Sequence, residues 1–329
     1  MITLLADSSK WDEAADNSYY SSVSYKYGWL QSIGACFPYL KPLPLAEISQ
    51  EGIIEYICPC FIDKKNDEIV SSIFLAAGFI NKNTNPNETV QKLIEYAIME
   101  KCKKILLQIP PGFYYSDNLI SEGFTLQRKV PFFELSINKL DSFENYIETV
   151  LPKRKNRYIK AAYKKGVEIE MHRPSEKVVD RFYRFYNELG NRKKIQIFEK
   201  SFITRLSESL DEHAWYWIAT INGQDCGAIL SFEFKNRLWL WLISSSREFN
   251  EYRVDDLLYV RNIQYGFDKK LEIIDFGTSP LESSLGDYKK QFGCKPVFHE
   301  IYILDLSISR IVKRIYIDLK RIIKKTKVP

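Results

Sequence analysis

The sequence predicts an α/β fold made of two similar halves, and three observations support that prediction. Amphipathic helical stretches alternate with short apolar runs throughout the 329 residues, which is typical of mixed helix and strand. The order helices, three-strand meander, helix, strand, helix, strand occurs twice, which indicates an internal duplication. The length suffices for two domains, and a composition that is 45% hydrophobic and 14% aromatic excludes a disordered chain.

We therefore expect two tandem domains, each a mixed, mostly antiparallel sheet flanked by helices. The expected ranges are 1–138 for domain one and 139–304 for domain two, which includes a basic helix at 153–165. Residues 305–329 should follow as a basic amphipathic helix that returns to domain one.

Helical periodicity, apolar runs and turn residues define the elements of the first half. In order, they are helices at 9–16 and 25–37, strands at 43–48, 54–62 and 69–77, a helix capped by Asn87 that runs to 101, a buried strand at 104–109 ended by Pro110, a helix at 117–122, and a strand pair or one long bent strand at 124–137.

The second half repeats this order after a helical segment at 143–165, which is bent near Pro152 and stops at Gly166. Its later elements are a strand at 167–172, a helix capped by Ser175 that ends at Gly190, a helix at 199–210, strands at 215–222, 225–234 and 237–244 joined by tight turns at Asn222-Gly223 and Lys235-Asn236, a helix at 255–267, and strands at 271–274 and 297–304.

The segment between those last two strands contains the most informative residues. It reads as a Gly/Ser/Pro loop after Asp275, then one or two helical turns with the paired lysines Lys289 and Lys290, then a stop. Gly277 and Gly293 lie where the chain leaves a regular element, so we expect positive φ at both. The pattern alone leaves open whether the lysines lie at the mouth of a sheet or are solvated.

Two runs in this segment resemble the signature of the FemABX-type transferases, relatives of the GNAT N-acyltransferases that include BioF2-like acetyltransferases. One is the D-F-G-x-S of 275–279, and the other is the aromatic-Lys-basic-x-aromatic-Gly of 288–293. Thr278 stands where many relatives have Arg, and Tyr288 where they usually have Phe, so the family's substrate is not carried over. The resemblance covers nearly the whole chain and implies two GNAT-like domains. Its motif residues here are Gly277, Ser279, Phe292 and Gly293.

The resemblance also implies a catalytic role for Lys289, because the lysine of this motif lies beside the acyl-transfer centre in these transferases. We expect Lys289 to be exposed at a cleft. The backbone N–H around Tyr288 is a candidate oxyanion donor, Asp275 is a candidate base or orienting group, and Glu233 is a weaker candidate base. The sequence has no nucleophile elbow and no Ser/His/Asp or Cys/His set, so direct transfer without an acyl-enzyme is expected.

Residues 153–165 contain seven Lys and Arg and no acid, and they are similar to the basic K-x-R-R-N-I-R-K-A-x-K-x-G helix of the same family. Spacings of i, i+4, i+7 and i+11 put four cations on one face, with Tyr158, Ala161 and Ala162 toward the protein. Such a face suits the phosphates of coenzyme A, of a tRNA acceptor end, or of a nucleotide or lipid diphosphate; a solvated helix face is the open alternative. The candidate phosphate-binding residues are Lys153, Arg157, Lys160, Lys164 and Arg253.

These features predict an N-acyltransferase that passes an acyl group from an activated donor to an amine of a cell-envelope saccharide or lipid-linked precursor. Acyl-CoA is the favoured co-substrate, because the long helical hairpin of some aminoacyl-tRNA-dependent relatives is absent. The GNAT pyrophosphate loop is also missing from 244–256, which weakens that choice. The alternatives are an aminoacyl-tRNA-dependent transferase acting on a peptidoglycan-type peptide and a non-enzymatic, membrane-associated scaffold. No permanently bound cofactor is expected.

Composition argues against two other kinds of site. The sequence lacks RNP-type aromatics, helix-turn-helix spacing and zinc-finger spacing, so dedicated DNA binding is not expected despite a net charge of +5. The three histidines lie far apart, and Cys58 and Cys60 are one residue too close for the usual zinc-ligand spacing. We therefore expect no metal site and six reduced cysteines.

The two ends of the chain predict its location. The N-terminus has no basic region before Asp7, and no run of about 18 uncharged apolar residues occurs, so a cytoplasmic protein is expected. Residues 310–327 contain eight Lys and Arg against Asp318 alone, opposite an apolar stripe. The stripe suits docking onto domain one as far as about Leu319, and the remaining cations suit peripheral contact with an anionic membrane at its inner face.

Overall fold

The computed structural model describes residues 2–18, 22–71, 87–111 and 116–307. The end of the strand predicted at 69–77 lies outside these residues. So does most of the helix predicted at 305–329, together with its proposed membrane contact through 310–327.

The chain forms two compact units by its internal contacts. The first contains the described residues up to Leu30, those of 37–129, and those from His299 onward. The second contains residues 31–36 and 130–298.

The first half of the chain follows the predicted order of elements, preceded by one short strand that was not predicted. They are β1 (Ile2–Leu4), α1 (Ser8–Asn17), a short 3-10 turn (Val23–Tyr25), α2 (Tyr27–Cys36), β2 (Leu40–Ile48), β3 (Ile54–Asp63), β4 (Glu68–Ser71), α3 (Asn87–Met99), β5 (Lys104–Ile109), α4 (Ser116–Ser121) and β6 (Thr125–Ser136). The last of these is one long strand and not a strand pair.

The second half repeats that order after two helices. Its elements are α5 (Phe143–Thr149), α6 (Lys153–Lys164), β7 (Val167–His172), α7 (Glu176–Lys193), α8 (Lys200–Ser209), β8 (Ala214–Ile221), β9 (Gln224–Phe234), β10 (Arg237–Ser245), a 3-10 segment (Arg247–Tyr252), α9 (Val254–Asp268), β11 (Ile273–Thr278), α10 (Ser284–Lys290) and β12 (Lys295–Asp305).

The sheets of the two units have the same pairing pattern. In the first, β1 to β4 pair antiparallel in succession, β4 pairs parallel with β5, and β5 pairs antiparallel with β12. In the second, β7 to β10 pair antiparallel in succession, β10 pairs parallel with β11, and β11 pairs antiparallel with β6. The predicted α/β class with mixed, mostly antiparallel sheets is confirmed. Each sheet also takes its last strand from the other half of the chain, which the continuous ranges predicted from the sequence do not include.

Proline and glycine positions explain two differences from the predicted helices. Helix α5 ends at Thr149 and α6 begins after Pro152, because a proline at this point lacks the N–H that a continuous helix would need. Helix α7 does not stop at Gly190 but continues to Lys193, and Lys194 ends it with a φ of 52°. A Cβ on Gly190 would lie 2.7 Å from Ile197 Cγ2, so this glycine permits close packing inside the helix.

The core of the second unit is one cluster of apolar side chains. It includes Leu257 and Ile263 on α9, Trp217 on β8, and Phe276 on β11. Ring stacking of Tyr259 on Phe276, with centroids 4.7 Å apart, joins α9 to β11. This packing fixes the first turn of α9 next to the ends of β10 and β11.

The cysteines and helices allow three further statements. All six cysteines are unpaired, and the Sγ atoms of Cys58 and Cys60 lie 3.3 Å apart in the interior. The described residues contain no group of three or more His, Cys, Asp or Glu side chains arranged to hold a metal ion. None of the helices within them is long and apolar enough to cross a membrane.

Candidate active site

The candidate site lies where β10 and β11 separate. These parallel strands pair over three residues each, 237–239 with 273–275, although β10 continues to Ser245 and β11 to Thr278. A pocket of about 560 Å³ opens at the end of β10, beside the first turn of α9. Its lining consists of Ser245, Asn250, Glu251, Arg253, Val254, Asp255, Asp256 and Tyr288.

A buried ionic cluster forms one wall of this pocket. Lys155 Nζ on α6 donates to Asp256 Oδ1 at 2.6 Å, and the Tyr288 hydroxyl on α10 donates to the same oxygen at 2.5 Å. Lys155 Nζ also lies 4.4 Å from the ring centroid of Tyr288 and 4.3 Å from that of Phe292. Burial lowers the pKa of Lys155, and the Asp256 carboxylate opposes that shift. The cluster ties α6, α9 and α10 together.

Asp255 lies beside this cluster but takes no part in its ion pair. Burial raises the pKa of its carboxyl, and a hydrogen bond with Ser245 partly offsets the effect. Its Oδ1 atom is buried and has no hydrogen-bond partner within the described part of the chain. A buried carboxylate oxygen without a donor is unfavourable, so this atom distinguishes Asp255 from Asp256.

Lys289 is not exposed at a cleft as predicted; its exposed fraction is 4%. Its Nζ donates to the carbonyl oxygens of Gly277 at 3.1 Å and Thr278 at 3.0 Å. Helix α10 approaches this loop closely, because a Cβ on Gly286 would lie 2.6 Å from the carbonyl oxygen of Pro280. The lysine side chain is therefore enclosed, and it holds the end of β11 against α10.

The backbone N–H of Tyr288, the candidate oxyanion donor, lies inside a helix. Tyr288 is the fifth residue of α10, and an N–H at that position bonds within the helix to the carbonyl four residues earlier. Helix α10 is two turns long, and its first turn is capped by Ser283 Oγ, which accepts from Gly286 N. The functional group that Tyr288 presents at the pocket is its hydroxyl.

Asp275 is buried at the end of β11 and orients a turn. It accepts from Gly277 N at 2.8 Å and from Arg237 Nη1 at 3.2 Å, and Arg237 also binds Glu134 at 2.5 Å. Burial raises the pKa of Asp275 to about 6, and the charge of Arg237 opposes that rise. Because β11 continues through Asp275 to Thr278, the loop begins later than predicted.

The other motif residues are structural in this arrangement. Gly277 and Gly293 have positive φ, 69° and 84°, as predicted. Ser279 is buried and donates to Thr278 O at 2.7 Å, and Phe292 is buried against Tyr288. They shape the segment that presents Tyr288 and Lys289.

Glu233, the weaker base candidate, accepts from two aromatic side chains. Trp215 Nε1 lies 3.2 Å and the Tyr265 hydroxyl 2.5 Å from Glu233 Oε2. The carboxylate therefore joins β8, β9 and α9. Glu233 does not line the pocket at α9.

Four of the predicted phosphate contacts lie on the exposed face of α6. They are Lys153, Arg157, Lys160 and Lys164. The inward face differs from the prediction, because the buried residues are Lys155, Ile159 and Ala162, while Ala161 is exposed and Tyr158 half-buried. The spacing 155, 159, 162 is also one helix face, and the buried Asp256 explains why a lysine can occupy it.

Three arginines surround the ring of Tyr158. The guanidinium carbons of Arg154, Arg157 and Arg253 lie 5.4, 5.9 and 5.0 Å from its centroid. Arg154 Nε donates to the Tyr158 hydroxyl at 2.8 Å, and this bond and the three positive charges lower the pKa of the phenol. Among the described residues, no carboxylate lies within ion-pair distance of these arginines. We call Arg154, Arg157 and Arg253 the arginine cluster.

Sequence reasoning missed three residues of this site. The sequence places Asp255 and Asp256 at the start of a predicted helix and Lys155 within a basic run, and it indicates no further role for them. The spacing of Lys155, Ile159 and Ala162 along one helix face is the signal in the sequence that could have indicated a buried Lys155. Nothing in the local sequence indicates that Asp256 meets Lys155, since 101 residues separate them.

Lys289 gives a prediction for the pH dependence of stability. Burial lowers its pKa from 10.5 to about 8, so the folded protein releases this proton before the unfolded chain does. The unfolding free energy contributed by Lys289 should therefore rise between pH 8 and pH 10.5, by about 3 kcal/mol in all. The measurement is the difference in unfolding free energy between wild type and Lys289→Met across this range. A difference that stays constant with pH contradicts the prediction.

Comparisons with known proteins agree with this geometry. Residues 153–290 match the family model described as an acetyltransferase (GNAT) domain. The fold is similar to that of FemX, with a TM-score of 0.76 and 12% identity over 93% of this chain and 97% of that one. It is also similar to L-PGS from Bacillus licheniformis, with a TM-score of 0.62 and 11% identity over 97% of both chains. No curated protein matches the chain by sequence.

A tandem GNAT protein from the clavulanic acid biosynthesis pathway shares the fold as well, with a TM-score of 0.54 and 9% identity over 82% of this chain and 84% of that one. Residues 153–290 thus match a GNAT acetyltransferase domain, and the fold of the chain is similar to that of FemX. The resemblance inferred from the sequence is confirmed for the GNAT domain and for the fold, and both support an acyltransferase or aminoacyltransferase.

Proposed function

We propose that the protein transfers an acyl group directly from an activated donor with phosphate groups to an amine of a cell-envelope precursor. The observation that supports this proposal most strongly is the arginine cluster around Tyr158, because it groups two of the predicted phosphate-binding residues, Arg157 and Arg253, at the edge of the pocket. The envelope acceptor is inferred from the FemABX resemblance.

The arginine cluster has the chemistry of a phosphate site. Like charges around one ring repel each other, and within the described residues no carboxylate offsets them. Guanidinium groups bind phosphate oxygens in pairs, through short charge-assisted hydrogen bonds. A bound phosphate would therefore relieve the repulsion and order all three side chains.

The first turn of α9 bears on the identity of the donor. A helix N-terminus normally favours a diphosphate, because its free N–H groups point at the anion. Here Asp255 and Asp256 occupy that turn, and their charge opposes a diphosphate at this position. Acyl-CoA remains the first donor to test, with its phosphates on the arginine cluster. The acidic turn disfavours the diphosphate of coenzyme A at this position. This observation favours the second candidate donor, aminoacyl-tRNA.

The roles of the site residues follow from their contacts. Lys289 and Asp275 are positioning residues, since both hold the turn at Gly277. The Tyr288 hydroxyl faces the pocket as a hydrogen-bonding group. Lys153, Lys160 and Lys164 extend the cationic surface along α6, whose 12 residues span about 18 Å.

We infer a cytoplasmic enzyme that acts at the inner face of the membrane, where a lipid-linked acceptor would be present. L-PGS and the C-terminal domain of a putative lysylphosphatidylglycerol synthetase from Agrobacterium fabrum share the fold, and the name of the latter refers to a lipid product. The cationic residues 310–327 would supply the membrane contact.

Two triple variants test the donor site. One replaces Arg154, Arg157 and Arg253 by Gln; the other replaces Lys153, Lys160 and Lys164 by Gln, with the same change in charge. A compact donor such as acyl-CoA should lose about 10- to 100-fold in affinity in the arginine variant and little in the lysine variant.

An aminoacyl-tRNA, which contacts more phosphates, should bind more weakly to both variants, and the salt dependence of its affinity should flatten in both. The measurement is donor affinity at several salt concentrations. Wild-type affinity in the arginine variant, for both donors, would exclude the cluster as the donor site.

A further inference from the structure

We propose that Asp255, together with Asp256, forms a binding site for a primary ammonium group in the pocket at the start of α9. The inference rests on the proposed function, because it identifies this ammonium as the protonated amine of the acyl acceptor. It assigns Asp255 as the residue that recognises the acceptor.

The Asp255 carboxyl has one oxygen atom that lacks a hydrogen-bond donor in the described part of the chain. Asp255 lines the pocket, and its Oδ1 atom is buried without a hydrogen-bond partner among the described residues. Ser245 forms a hydrogen bond with the carboxyl. One acceptor at the pocket thus has its bonding capacity unused, which is rare for a buried polar atom.

The described cations around the pocket do not balance both Asp255 and Asp256. Asp256 is neutralised by Lys155 at 2.6 Å. Arg192 lies close enough to affect Asp255 but is held by the carbonyl of Ser245 at 3.4 Å and by Glu188 at 3.8 Å, and Arg253, which also lines the pocket, forms no ion pair with Asp255. The pair Asp255 and Asp256 therefore has one negative charge without an ion-pair partner in the described residues, and a ligand with a single positive charge would balance it.

The side chains at this pocket favour a primary ammonium over a divalent metal ion. The described residues contain no group of three or more metal-ligating side chains, so a divalent metal would lack ligands here. A primary ammonium has three N–H donors on a compact charge, and it satisfies a lone carboxylate oxygen directly. The pocket of about 560 Å³ also leaves room for the group that bears the amine.

The test uses methylammonium as the probe, with tetramethylammonium as a cation of equal charge that has no N–H donor. Thermal midpoints are measured at constant ionic strength for wild type, Asp255→Asn and the control Glu248→Gln, which removes an equal charge from an exposed position before α9. Methylammonium at ten times its dissociation constant should raise the midpoint of wild type and Glu248→Gln by about 2 °C. Asp255→Asn should show no rise, and tetramethylammonium should have no effect on any of the three.

Equal rises in wild type and Asp255→Asn, equal rises with both cations, or no rise in wild type would each overturn the inference. Asp255→Asn removes an unfavourable buried charge, so we expect it to fold. The assay contains no acyl donor and measures no turnover. Failure of the transferase proposal would therefore leave this result intact, and failure of ammonium binding would leave the donor site intact.

Discussion

Replacing Lys155 by Met is expected to lower the free energy of unfolding by about 3–5 kcal/mol, which is the usual effect of removing one partner of a buried ion pair. Lys155 and Asp256 are both buried, so Asp256 would keep its charge in the interior with Tyr288 as its remaining donor. The methionine fills a similar volume between Tyr288 and Phe292, which isolates the loss of charge from a loss of packing. Urea unfolding of both proteins measures the difference.

Lys153→Met is the matched control, since Lys153 is an exposed lysine two residues earlier on the same helix. It should change the unfolding free energy by less than about 0.5 kcal/mol. The double variant Lys155→Met with Asp256→Leu removes both charges and should recover much of the lost stability. Equal losses in Lys155→Met and Lys153→Met would show that the ion pair does not form.

Replacing Lys289 by Met should reduce the rate of acyl transfer by about 100-fold, because the loop at Gly277 and Thr278 loses the charged donor that fixes it, and small displacements of a site reduce rates by this order. The stability of this variant combines two opposed effects at neutral pH, because the lost bonds to a charged group cost about 1.5–3 kcal/mol while removal of a buried charge is favourable by a similar amount. This positioning role differs from the sequence-based expectation, which places the side chain of Lys289 at an exposed cleft.

Lys290→Met is the control for this variant, because Lys290 is the next residue of α10 and is exposed. Its ammonium binds Asp287 at 2.9 Å on the surface, so its loss should change neither rate nor stability appreciably. Turnover and unfolding are measured for both variants with whichever donor the protein accepts. Unchanged turnover in Lys289→Met would remove Lys289 from the site.

The fold was largely predictable from the sequence, because its elements are encoded locally. Periodicity defined nearly all helices and strands, and the tight turn at Asn222-Gly223 has positive φ at both residues, 50° and 77°. The repeated order of elements indicated the duplication. The exchange of β6 and β12 was not predictable in this way, because strand pairing between distant segments depends on tertiary packing.

The candidate site was predicted only in part, for the same physical reason. The exposed cations of α6 follow from helical spacing, and the positive φ of Gly277 and Gly293 from their place at element ends. The contacts of Lys289 and Lys155 depend on partners far away along the chain. A buried lysine and an exposed one look alike in sequence until the carbonyl or carboxylate that binds it is known.

The most direct test of the proposed function is native mass spectrometry of the intact chain with an acyl-CoA and with an aminoacyl-tRNA. We expect a 1:1 complex with at least one of these donors in wild type. The complex should persist after replacement of Glu248 by Gln and be lost when Arg154, Arg157 and Arg253 are replaced by Gln. Binding of neither donor, or equal binding by wild type and the arginine variant, would contradict it.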